Sequence, residues 1–153
     1  MTLKSSGYLV ASVNVAFSGT QTLASLADGE WTNLSDEIDN TSNLYLMADF
    51  LFELASAAFT GTDSVVELYI LPCVDGTNYP NWTGNVTTSE QENDQHFVGA
   101  VTTSGATEAQ VLCIRDVKLP PGKFKVGVRN NSGVAFAASS NTLEYRPHSY
   151  QDV

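Results

Sequence analysis

Leu44-Tyr45-Leu46-Met47-Ala48-Asp49-Phe50-Leu51-Phe52-Glu53-Leu54-Ala55-Ser56-Ala57-Ala58-Phe59 is the most apolar run in the sequence, and its period decides what the chain builds. Wound as a helix, it leaves Asp49, Glu53 and Ser56 as a narrow polar stripe. Extended as a strand, it turns Leu44, Leu46, Ala48, Phe50, Phe52 and Leu54 to one side and both carboxylates to the other. Turn residues Thr60-Gly61-Thr62-Asp63 bound the run, and a β-branched stretch, Ser64-Val65-Val66-Glu67-Leu68-Tyr69-Ile70-Leu71, follows up to Pro72, which favours the strand. Two strands joined by a short Gly-containing link predict an antiparallel hairpin. With 16 residues and two acids in its middle, the run is too short and too charged to span a bilayer.

Working outward, Ala11 to Phe17 alternates with Val13, Val15 and Phe17 on one face, until Ser18-Gly19 stops it. Residues 21–26 predict a short second strand before the Asp28-Gly29 turn. Ser35-Asp36-Glu37-Ile38-Asp39-Asn40 fits one helical turn capped by Ser35 and a polar loop equally well. Residues 75–88 read as a long loop stiffened by Tyr79, Pro80 and Trp82. Strands are expected over 95–103 and 108–118, with a tight corner at Leu119-Pro120-Pro121-Gly122. Lys123-Phe124-Lys125-Val126-Gly127-Val128-Arg129 is the cleanest alternation, with Phe124, Val126 and Val128 facing in and the bases facing out. Asn130-Asn131-Ser132-Gly133 reads as a turn, residues 134–138 and 141–146 as the last strands, and Pro147 as their end. About eight or nine strands with regular turn signals predict an all-β, antiparallel β-sandwich of jelly-roll-like type. The expected organisation is an N-terminal arm over 1–10, one sandwich domain over 11–147 and a C-terminal tail over 148–153.

A chain of 153 residues with 42% hydrophobic and 16% charged composition is one domain's worth of globular protein. Seven Lys and Arg against 17 Asp and Glu give a net charge of −10, which disfavours nucleic acid and anionic membrane surfaces as partners. The charge is unevenly spread: residues 5–114 hold 14 acids and no Lys or Arg, whereas residues 115–153 hold six bases and three acids. The opening residues carry a single Lys before an apolar stretch broken by Ser12 and Asn14, and do not read as a signal peptide. Five Asn-x-Ser/Thr triplets are therefore discounted as glycosylation acceptors.

Candidate chemistry is sparse. Cys73 and Cys113 lack CxxC spacing or a Cys/His cluster, so reduced core thiols are favoured over a zinc site or a cross-strand disulfide. Neither His96 nor His148 sits in a catalytic motif, and both read as solvated or internally satisfied. Asp49 with Glu53, or Glu90 with Glu92, has the residue type of a glycosidase acid pair without supporting context. Asp75-Gly76-Thr77-Asn78 offers oxygens to calcium but lacks EF-hand spacing and reads as turn chemistry. Tyr79, Trp82 and Trp31 have three uses: stacking on a sugar, anchoring a protein interface, or pinning a loop to its own core. The expectation is a non-enzymatic protein without catalytic, cofactor-binding or metal-binding residues.

Three stretches carry a family resemblance: Val66 to Pro80, with Leu71-Pro72-Cys73-Val74-Asp75-Gly76-Thr77-Asn78-Tyr79-Pro80; Val117 to Asn130; and Ala135 to Pro147, with Ser140-Asn141-Thr142-Leu143-Glu144-Tyr145-Arg146-Pro147. Together they resemble a set of small virion proteins of tailed bacteriophages. The resemblance implies a β-sandwich displayed on the outer capsid surface after assembly in the host cytoplasm. It further implies a decoration or cement protein that bridges major capsid protein subunits, commonly as a homotrimer. On that basis Leu3, Tyr8 and Leu9 of the arm, and Tyr79 and Trp82 of the aromatic loop, are the expected contact residues. Lys123, Lys125 and Arg129, with Arg115 and Lys118 across the corner, are expected to form a basic patch that meets acidic surface on a neighbouring copy or on the capsid. The alternative is a carbohydrate- or receptor-binding module of a phage head or tail fibre, with Trp31, Tyr79 and Trp82 stacking on a surface glycan.

Overall fold

The computed structural model describes residues 3–5, 10–59, 64–82 and 94–152, with backbone alone for 3–5, 94 and 150–152. Its strands are β1 (Leu3–Ser5), β2 (Val13–Asn14), β3 (Ile38–Asp39), β4 (Met47–Leu54), β5 (Val65–Pro72), β6 (Phe97–Thr102), β7 (Gln110–Lys118), β8 (Lys123–Asn131), β9 (Thr142–His148) and β10 (Tyr150–Asp152). Eight of them form two antiparallel four-stranded sheets, ordered β2-β9-β4-β7 and β3-β8-β5-β6, while β1 pairs with β10 in a two-stranded ribbon. The chain is an all-β sandwich, as its alternating pattern predicts.

The 44–59 run is a strand over its middle. Ala48, Phe50, Phe52 and Leu54 of β4 enter the core with Val66, Leu68 and Ile70 of β5, Phe124, Val126 and Val128 of β8, and Leu143 of β9. Phe50, Phe52, Phe59 and Phe124 are fully buried. Removing each such ring from water stabilises the fold by about 2–3 kcal/mol of transfer free energy. The opposite face of β4 carries Asp49 and Glu53, as the strand period requires.

The predicted hairpin is not there. β4 pairs with β7 and β9, and β5 pairs with β6 and β8, so the two neighbouring strands lie in different sheets. The cause is where β4 stops. Its last rung with β9 is Glu53↔Thr142, and the next backbone N–H, that of Ala55, is taken by the Asn141 side-chain oxygen at 3.0 Å. After it residues 55–59 are irregular, and Phe59 packs into the core.

Other segments also depart from the sequence pattern. Residues 21–26 and 134–138 are irregular instead of strands, and bind each other through Ser25 N to Ala137 O at 3.0 Å and Phe136 N to Leu26 O at 2.9 Å. They behave as plugs, burying Leu23, Leu26 and Phe136. Residues 35–40 form neither a helical turn nor a polar loop. They follow the edge of β8, where the buried Ser35 hydroxyl accepts from Val126 N at 2.9 Å in place of a strand carbonyl. β8 continues through the expected turn at Asn130, and β9 runs through Pro147 to His148. Residues 150–152 are the strand partner of residues 3–5, so the expected arm and tail are tied together. Cys73 is buried, but Cys113 is exposed on β7 and is no core thiol.

Candidate functional site

Trp31, Tyr79 and Trp82 converge with Lys123, Lys125 and Arg129 on one place, the outer face of the β3-β8-β5-β6 sheet. The period of β8 sends Lys123, Lys125, Gly127 and Arg129 outward, opposite Leu71, Tyr69 and Glu67 of β5. Gly127 leaves a dimple, and the chain fills it: a Cβ there would collide with the indole of Trp82. Trp82 donates its Nε1–H to Thr32 O at 2.7 Å and meets Trp31 edge-on at 5.2 Å between ring centres. Tyr69 stands 5.0 Å from Trp31 and 5.6 Å from Phe97, which is 47% exposed. Trp31 itself is 3% exposed. The loop is therefore pinned onto its own sheet, and Trp31 has no face open for stacking on a sugar.

The bases on this face have partners within the chain. Lys123 Nζ lies 2.8 Å from Glu37 Oε1, and Arg129 lies 3.5 Å from Glu67 and 4.9 Å over the Trp31 ring. Lys125 sits 5.0 Å over the ring of Tyr79, whose hydroxyl donates to Glu37 Oε2 at 2.6 Å. The hydrogen bonds from Lys123 and then Tyr79 hold the Glu37 carboxyl below the usual carboxylate range. Burial first, and then the bond to Glu37, pushes the Tyr79 phenol well above its ordinary value. Lys123 and Arg129 thus neutralise acids from the first two thirds of the same chain. Arg115 and Lys118 do not join them, because the Pro120-Pro121-Gly122 corner passes from one sheet to the other and β7 lies in the opposite layer. There Arg115 pairs with Asp49 at 3.7 Å.

Tyr8 and Leu9 lie outside the described residues, as do Glu90 and Glu92, and of Leu3 only the backbone, paired with Asp152, is described. Asp75 closes its own loop. It accepts from Thr77 N at 2.9 Å, Asn78 N at 2.7 Å and Asn78 Nδ2 at 2.7 Å, and the Asn78 bonds chiefly bring its carboxyl down to about 2. His96 closes the short 3-10 turn before β6, and burial lowers its affinity for a proton. His148 is not in a loose tail: its side chain is 11% exposed and lies 3.6 Å from both Asp49 and Asp116. Sequence gave no sign of that cluster, whose members are far apart in the chain and match no ligand motif.

No family model, no curated protein and no solved structure matches this chain.

Proposed function

We propose that the chain is a non-enzymatic bacteriophage capsid decoration protein that binds the outside of the head and bridges major capsid protein subunits, acting as a homotrimer. The observation that carries this reading is the strand order. In β2-β9-β4-β7 over β3-β8-β5-β6, the pairs β2·β9, β3·β8, β4·β7 and β5·β6 are all neighbours, the order obtained by wrapping one long antiparallel ribbon around a core. That order supports a jelly roll, a fold used by viral capsid and lectin domains. Passing from fold to role is an analogy, and the resemblance of 66–80, 117–130 and 135–147 to phage virion proteins directs it towards the capsid. A lectin-like role finds less support, since Trp31 and Trp82 are spent on each other.

The contact face is the outer side of the β3-β8-β5-β6 sheet, where Phe97, Tyr79, Trp82 and Lys125 are at least partly accessible. Several modest contacts repeated by symmetry suffice for tight attachment. The test is co-sedimentation of purified protein with DNA-filled capsids that lack it. Binding by the natural sequence and its loss in a Phe97→Ser, Lys125→Glu variant is the expected result. Failure of the natural sequence to co-sediment overturns the proposal, and a glycan-array signal abolished by Trp82→Ala would favour the carbohydrate-binding alternative.

A further inference from the structure

The second sheet carries a different kind of site on its outer face. Asp49 from β4, Asp116 from β7 and His148 from β9 place one ligand atom each within 4.8 Å of one another. His148 Nε2 is 3.6 Å from Asp49 Oδ1 and 3.6 Å from Asp116 Oδ1, beyond hydrogen-bond range of either. We propose that these three side chains bind one divalent ion of the zinc class, through the imidazole Nε2 and one oxygen of each carboxylate.

The donor set and spacing fit that class. A tetrahedral ion with bonds of about 2.0–2.1 Å holds its ligands about 3.4 Å apart, so the imidazole needs to close on each carboxylate by only about 0.2 Å from 3.6 Å, with the two carboxylates already within 4.8 Å of each other. Imidazole with carboxylates suits zinc and its first-row neighbours, whereas calcium takes six or more oxygens. Three protein ligands leave the fourth position to solvent, on the side of Asp116, whose side chain is 58% exposed.

The frame around the three is built. Asp49 is 8% exposed and its Oδ1 accepts the Asp116 N–H at 2.9 Å. The ladder between β4 and β7 shifts register here, and Asp116 has a φ of 54°, which re-aims its carboxylate over Asp49. His148 is set by its register with Met47 and by Ser149, whose hydroxyl accepts from Leu46 N at 3.3 Å. Two cations flank the site. Arg115 is 71% exposed and meets Asp49 at Oδ2 instead of Oδ1, and Arg146 sends its Nε–H to Val10 O at 2.9 Å. An ion there ties three strands of one sheet together at the end of β9.

Isothermal titration of the full chain with zinc near neutral pH tests this. One ion per chain is expected, with cobalt(II) giving the visible bands of a four-coordinate site. His148→Gln and Asp116→Asn should each weaken binding at least about tenfold. Asn tolerates the positive φ of Asp116, so that variant keeps the backbone, which circular dichroism checks. No zinc uptake at millimolar concentration, or wild-type affinity in both variants, overturns the proposal and leaves the three residues as an ion-paired cluster only.

Discussion

The indole of Trp82 rests directly on the Cα of Gly127, and no side chain larger than hydrogen fits between them. Gly127→Ala is expected to lift the ring out of its seat on Trp31 and Tyr69 and to cost about 1–3 kcal/mol, the usual penalty of overpacking. A red shift of tryptophan emission with a lower urea midpoint checks it. Unchanged emission would mean that the loop is not anchored there.

Asn130 is fully buried, and its side chain does the work of two backbone strands. It donates to Leu26 O at 2.8 Å and to Val134 O at 2.7 Å, and accepts from Ser132 N at 3.0 Å. Asn130→Ala should destabilise by about 3 kcal/mol, because buried carbonyls left without donors lose more than the bonds themselves contributed. Asn130→Asp should be at least as damaging, since it turns an oxygen towards each carbonyl. Chemical denaturation of both variants gives the comparison.

The Glu37, Tyr79 and Lys123 network has a defined pH window. Glu37 ionises below its ordinary 4.5, so its contribution is complete above 4.5 and lost as the pH falls through the lower folded value. Tyr79 and Lys123 are both raised, from 10.0 and 10.5, so theirs is complete below those values and lost as the pH climbs through the higher folded ones. In an ultraviolet titration, Glu37→Gln should bring Tyr79 ionisation down while leaving Tyr145, which burial raises independently, in place.

Cys113 reports on the opposite sheet. Its thiol is raised first by burial and then by the charge of Asp49, while Arg115 opposes the shift. Alkylation at a fixed pH should therefore be faster in Asp49→Asn and slower in Arg115→Gln, with buried Cys73 contributing little. Equal rates in all three proteins would remove the electrostatic coupling.

What the sequence made legible is what period and punctuation encode. The alternation of 123–129 and of the middle of 44–59 identified β8, β4 and the residues that each buries. Sheet membership was not legible, because the end of β4 depends on Asn141, which acts from the far side of the chain. Segments 21–26 and 134–138 imitate strands in sequence but bond to each other outside any ladder, and nothing in their own residues distinguishes the two cases. At the sites, composition and spacing found the aromatic and basic residues but not their internal pairing. The Asp49, Asp116 and His148 cluster is not legible in the sequence, because a bulge and three separate strands assemble it.

The interleaved strand order sets how the molecule must come into being. β9 lies between β2 and β4, and β8 between β3 and β5, so each sheet waits for a late segment to insert among early ones. Such non-local pairing carries the loop-closure cost that places sandwiches among the slower folders, on the scale of milliseconds to seconds. A nascent chain halted before Thr142 would hold β2 and β4 with the strand between them still unmade.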